Sequence, residues 1–164
     1  MLRRAFVPQL LLVGLIASAL NAAAQPAYIY EGRTWDPNKI IGNIWNGVLI
    51  EGEGQNLSNA IVRTDGKHIY LGNSTSHFDL LYTLRDDNKL YNGDSRFLSD
   101  VVCTIRGPHI YLGDSENSLD LVFTYKQAHI YEGDGVSLLD VMLSIDQPIT
   151  MIEATMVLLA MDLL

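Results

Sequence analysis

Four carboxylates recur at equivalent places in the chain. Asp79, Asp100, Asp120 and Asp140 each lie seven residues after a glycine: Gly72, Gly93, Gly113 and Gly133. Four such groups around an axis have the chemistry to hold a hard cation such as Ca²⁺. The same recurrence also fits a folding motif, in which each aspartate begins a strand and accepts hydrogen bonds from turn N–H groups or from a neighbouring threonine. An active site gathers unlike residues at one place, so one aspartate per unit favours the structural reading. His68, His109 and His129 share a second column, four residues before the glycines, and imidazoles that converge can bind Zn²⁺ or Cu²⁺. Lys89 occupies the same column in the remaining late unit and would put a cation among the ligands. His77 stands outside it. Neither set is assigned a metal, and no cofactor is expected.

Other reactive groups point the same way. Tyr30, Tyr70, Tyr91, Tyr111 and Tyr131 lie two residues before the glycines. With nearby Asp, Asn and Ser they could form a glycan or protein contact surface, or pack with the hydroxyl reaching a rim; packing is favoured. Cys103 is the only cysteine and shares its column with Gly42, Val62, Tyr82, Phe123 and Leu143, so it reads as a small core residue and cannot form an intramolecular disulfide. There is no Gly-x-Ser-x-Gly elbow, no phosphate-cradling loop and no basic patch.

These columns belong to six tandem units of about 20 residues between Ala27 and Gln147, with glycines at Gly32, Gly52, Gly72, Gly93, Gly113 and Gly133. Eleven residues after each glycine come Asn43, Arg63, Thr83, Thr104, Thr124 and Ser144. Each unit reads as a hairpin: a short aromatic and β-branched strand, a turn-rich stretch, then a second strand such as Leu121 to Tyr125. No run between Ala27 and Gln147 carries a helical period. A hairpin of this length cannot bury its apolar face alone. The expected fold is therefore all-β, six hairpins closed into a pseudo-symmetric ring or barrel, since closure removes exposed sheet edges. A linear solenoid is the alternative. Ile149 to Leu164 is apolar, with Glu153 and Asp162 its only charges, and is expected to close the core as a final strand or a buried helical plug. A docking peptide is the other reading of that segment.

The recurring Ile-Tyr-x-Gly-(Asp/Asn)-Ser…Asp-(Val/Leu)-(Val/Leu)-x-Thr pattern, with the apolar close after Ile145-Asp146-Gln147-Pro148-Ile149, resembles the bacterial 4-fold beta flower proteins. The likeness covers residues 67–164 well and 27–66 weakly. It implies a pseudo-symmetric all-β domain of short hairpins and, the family having no established activity, lends no catalytic residues. The chain departs from that pattern in having six units rather than four. Lys39 and Asn59 also stand in the aspartate column, and Asn43 and Arg63 in the threonine column.

The start of the chain reads as a secretory signal over residues 1–24. Arg3 and Arg4 precede the apolar Leu10–Ile16, and Ala22-Ala23-Ala24 offers a cleavage site before Gln25. The apolar run is short of the ~20 residues that span a bilayer. Residues 25–164 then form one domain with nine basic against nineteen acidic residues, a net charge of −10. That balance disfavours nucleic acid and anionic membrane surfaces and is compatible with a basic protein partner. The expectation is a periplasmic or secreted, non-enzymatic binding or structural module whose partner is a protein or a glycan. An envelope inhibitor or immunity-type protein fits the size, export and acidity. A carbohydrate-binding module and a hydrolase are the alternatives.

Overall fold

The computed structural model describes residues 25–135 and 137–164. The expected signal segment 1–24 lies outside them. Among the described residues twelve strands follow one another: β1 (Ala27–Glu31), β2 (Ile40–Trp45), β3 (Val48–Glu51), β4 (Ala60–Thr64), β5 (His68–Leu71), β6 (Leu80–Leu84), β7 (Lys89–Asn92), β8 (Val101–Arg106), β9 (His109–Leu112), β10 (Leu121–Lys126), β11 (His129–Glu132) and β12 (Val141–Ile145). Each pairs antiparallel with its chain neighbours, and β1 pairs with β12, so the sheet is a closed barrel. The seam is held by the register Ile29 opposite Ile145 and by the Tyr28 amide donating to Asp146 at 2.8 Å. The ring is therefore closed, as its sequence favoured, and not a solenoid.

Alternation fixes which side chains fill it. Ile29, Leu49, Ile69, Leu90, Ile110 and Ile130, one per unit, are all buried and belong to one apolar cluster. A β-bulge recurs in every unit. In the third, Ile69 faces Tyr82 and Tyr70 faces Leu80, which leaves Leu81 unopposed. The extra residue bends the strand and gives the second strand of five of the six hairpins another core contact: Ile41, Ile61, Leu81, Val122 and Met142 all pack on the cluster.

Two kinds of connection alternate. At one rim the turns are tight, as at Asn46–Gly47, where both residues take positive φ (51° and 74°) and reverse the chain with the twist that hairpins prefer. At the other rim six long loops run from each repeat glycine to the aspartate column. Five of them contain a one-turn 3-10 helix: Pro37–Lys39, Leu57–Asn59, His77–Asp79, Leu98–Asp100 and Ser118–Asp120. These single turns are too short to show a helical period in the sequence.

The closing segment is a helix, α1 (Met151–Ala160). Thr150 and Glu153 cap it reciprocally: the Thr150 hydroxyl accepts the Glu153 amide and the Glu153 carboxylate accepts the Thr150 amide at 2.8 Å. Ile149 donates its amide to the Tyr125 hydroxyl at 2.9 Å beside the tight-turn rim, so α1 starts there and runs up the barrel axis toward the loops. Ile152, Ala154, Met156, Val157 and Leu158 are buried in the same cluster as the strands. Of the two forms open from sequence, the helical plug is the one adopted. Among the described residues no helix is long and apolar enough to cross a membrane.

Candidate functional site

The loop rim is built the same way unit after unit. The glycine that ends each odd strand takes positive φ, between 54° and 73°. In the late units a serine follows two residues on. Ser74, Ser95 and Ser115 each donate a hydroxyl to Asp79, Asp100 and Asp120 at 2.5 Å. The same hydroxyls accept the amides of Ser76, Phe97 and Asn117. Asp36, Asn56, Ser76 and Asn117 cap the single helical turns. The aspartates thus close their own loops. They end the helical turn rather than begin the strand, and their side-chain partner is this serine, not the threonine column. In the sixth unit Gly135 replaces the serine, and a Cβ there would lie 2.6 Å from that of Tyr131.

A paired substitution follows from that contrast. Asp120→Ala should cost about 1–2 kcal/mol, the worth of a hydrogen bond to a charged group in a half-buried loop. Asp140→Ala, without the serine, should stay within about 0.5 kcal/mol of the parent. Urea unfolding measures both. Equal costs would show that the serine–aspartate bond does not set loop stability. Unchanged stability with loss of tight Ca²⁺ binding would make the column a metal site.

The threonine column lies on the outer face yet is buried. Thr83, Thr104 and Thr124 donate their hydroxyls to the carbonyls of Gly93, Gly113 and Gly133 at 2.7–2.8 Å. Ser144 donates to Gly32 at 2.8 Å, carrying the same link across the seam. His109 Nδ1 lies 2.9 Å from the Thr124 hydroxyl, and His129 Nδ1 3.0 Å from that of Ser144. Since each hydroxyl proton is already given to a glycine carbonyl, Nδ1 must carry the hydrogen and donate. Burial and then the Arg33 charge lower the His129 pKa, which favours this neutral form. The Trp35 ring lies over His129 with centroids 5.6 Å apart.

The histidines are not gathered. His68, on β5, pairs its Nδ1 with Asp65 at 2.9 Å, while Lys89 pairs with Asp114 at 2.5 Å. His109 and His129 stand two strands apart, about 10 Å, and His68 is four strands from His109. Among the described residues no three His, Cys, Asp or Glu side chains are grouped for a metal ion. Asp65 accepts the amides of Lys67 and His68. Burial opposes its charge, but these bonds and the His68 ring outweigh it and hold its pKa to about 2. Cys103 is fully buried, and burial alone pushes its thiol pKa up to about 12, so it is an inert core group. Tyr30, Tyr91 and Tyr131 are buried; the Tyr91 hydroxyl reaches Asp87 at 2.8 Å.

Two surface features lay hidden in the sequence. The first is a set of apolar side chains at the loop tips: Phe78 is 98% exposed, Leu139 94% and Leu119 88%, with Phe97, Leu98 and Leu57 also exposed. The connectivity puts all six loops at one rim, so these residues form a crown. The second is a cleft of about 240 Å³ where the repeat is broken, bounded by Trp45, Val48, Leu57, Arg63 and Asn73. Arg63 replaces the threonine, donates to Asn73 at 3.2 Å, and keeps a buried Nε without a hydrogen-bond partner.

The model of the 6-fold beta flower protein family matches residues 29–158, which span the barrel and most of α1. No curated protein and no solved structure matches the chain. The 4-fold type that the sequence resembles is thereby corrected: the 2-by-6 strand count and the matching loops of units one and two make six petals, the early pair having diverged in side chains but not in backbone. The chain belongs to the 6-fold beta flower protein family.

Proposed function

We propose that the protein is an exported, non-enzymatic module that binds a protein partner through its loop crown. The observation that carries this reading is the exposure of Phe78, Leu119 and Leu139 at one rim. Large apolar side chains kept in water at equivalent tips cost solubility and serve contact. The six loops hold ten carboxylates against three basic groups, so the partner surface is apolar and basic. An envelope inhibitor or immunity-type role is one form of this reading, and the signal-like start is what supports export. The recurrence of loop-closing bonds supports the non-enzymatic part, and where an imidazole meets a hydroxyl, at His109–Thr124 and His129–Ser144, the hydroxyl proton is already held by a glycine carbonyl.

A photo-crosslinking residue placed at Phe78 or Leu119, and at Asp86 on the opposite rim as control, tests this in cells that make the protein. Discrete protein adducts are expected from the crown positions and not from Asp86. Absence of crown adducts, or equal labelling from both rims, overturns it. A second reading, carbohydrate binding, is favoured by the cleft in which Arg63 Nε lacks a partner beside Asn73 and Trp45. Selective retention on a glycan array that is lost in Arg63→Ala would put it first.

A further inference from the structure

The barrel interior is unevenly filled. Ten residues after each repeat glycine, an inward position holds Val62, Tyr82, Cys103, Phe123 and Leu143 in five units, but Gly42 in the first. The space left opposite Gly42 is a cavity of about 140 Å³. Ile29, Ile41, Leu49 and Ile61 wall it from the strands, and Val157 and Ala160 from the helix. It reaches the surface beside Met161, which also lines it and is 39% exposed.

Three properties mark it as more than loose packing. Every side chain on its wall is hydrocarbon or thioether, so a water inside would lack the partners that hold buried water in place. Its size is close to the ~150 Å³ of an engineered apolar cavity that stays dry and takes up benzene. Nor can the space be closed from position 42, because a Cβ there would lie 2.9 Å from the Ile50 carbonyl oxygen. The backbone approach that demands glycine therefore also keeps the room open. Ala160, small where the helix faces this gap, also leaves room there.

We propose that this cavity is a binding site for a hydrocarbon group of about six carbons, an aromatic ring or the end of a short alkyl chain, borne by a molecule without negative charge. The exclusion of an anionic head follows from the position of the mouth. Ile41 and Ile61 lie just past the loops, and the helix ends there, so a head group would emerge at the rim where carboxylates outnumber cations ten to three. A carboxylate head would meet like charge. The site is separate from the crown and from the Arg63 cleft, and stands whether or not either binds a partner.

The test is a methyl-detected NMR titration of residues 25–164 with toluene, 1-hexanol and hexanoate. Toluene or 1-hexanol should give saturable shifts confined to the Ile41, Ile61, Leu49 and Val157 methyls. Toluene alone would identify an aromatic ligand, and 1-hexanol alone an alkyl one. Hexanoate should bind at least tenfold more weakly than 1-hexanol. Ala160→Leu should abolish the shifts while the rest of the spectrum keeps its dispersion; if that variant does not fold, Ile41→Phe fills the same space from the wall. No saturable shift with either neutral probe, or binding undiminished in a folded filled variant, overturns the site. Equal affinity for hexanoate and 1-hexanol overturns the exclusion of an anionic head.

Discussion

Removal of Ile149–Leu164 should abolish cooperative folding. The segment places Ile152, Met156, Val157 and Leu158 at the centre of the barrel, each 6% exposed or less. Burying a side chain of this size is worth roughly 1.5–3 kcal/mol, so these four alone supply about 6–12 kcal/mol. That matches the ~5–15 kcal/mol net stability of an ordinary domain before the strand side chains facing them are counted. Without α1 the ring of isoleucines and leucines from Ile29 to Ile130 would line a water-filled tube. The milder substitution Leu158→Ala should cost about 2–5 kcal/mol. Thermal unfolding followed by circular dichroism measures both. A truncated chain that still unfolds cooperatively within a few degrees of the parent would show that the strands close on a core of their own, and would return the segment to the role of an exposed docking peptide.

Thr124→Val should have the next largest effect, about 2–4 kcal/mol. The volume is nearly unchanged, so packing is not the cause. The hydroxyl is buried and does two things: it donates to Gly133 O at 2.7 Å and accepts from His109 Nδ1 at 2.9 Å. Valine leaves one carbonyl and one ring N–H without partners, and each orphan costs about 1–3 kcal/mol. Chemical denaturation gives the magnitude, and the ¹⁵N shifts of His109 give the cause. The parent should show the hydrogen on Nδ1 when neutral, and the variant should lose that preference. A variant of unchanged stability would mean that water takes the place of the hydroxyl and that the link between neighbouring hairpins is dispensable.

Much of the architecture was legible because it is written six times. The glycine column marks the end of every odd strand, and the tyrosine two residues earlier marks its outer face. Closure followed from the need to hide sheet edges. The helix was not legible as a helix because its surroundings erase the usual signal. A segment enclosed by a barrel is apolar on nearly every side, and Ile152, Ala154, Met156, Val157 and Leu158 show no amphipathic stripe. The sign passed over was Thr150 with Glu153 three residues on, a capping pair ahead of an apolar run. The role of the aspartates was half legible: recurrence marked them as structural, but the serine five residues earlier, not the threonine column, is their partner. The pairing of His109 with Thr124 required the strand register, which composition does not encode. The crown escaped notice because Phe78, Leu119 and Leu139 sit among turn formers, where a single apolar residue reads as filler. Their recurrence near one offset in three loops was the available clue.

The axial helix follows all twelve strands in the chain, and this has a consequence for the order in which the molecule can be made. Each hairpin forms from neighbours in sequence, so pairing along the sheet is cheap and quick. The two steps that complete the barrel are not. Ile29 must find Ile145 across the full run of twelve strands, and the helix must arrive before the inner wall has anything to face. A nascent chain ending short of Met151 is a ribbon of hairpins with one greasy side and no interior. Every partial product is therefore open and adhesive, and commitment to the native state waits for the final helical turns to leave the machinery that delivers them. Timing, and not only affinity, then governs the yield of folded protein: a chain released quickly closes on its own helix, while a stalled one offers its inner face to its neighbours.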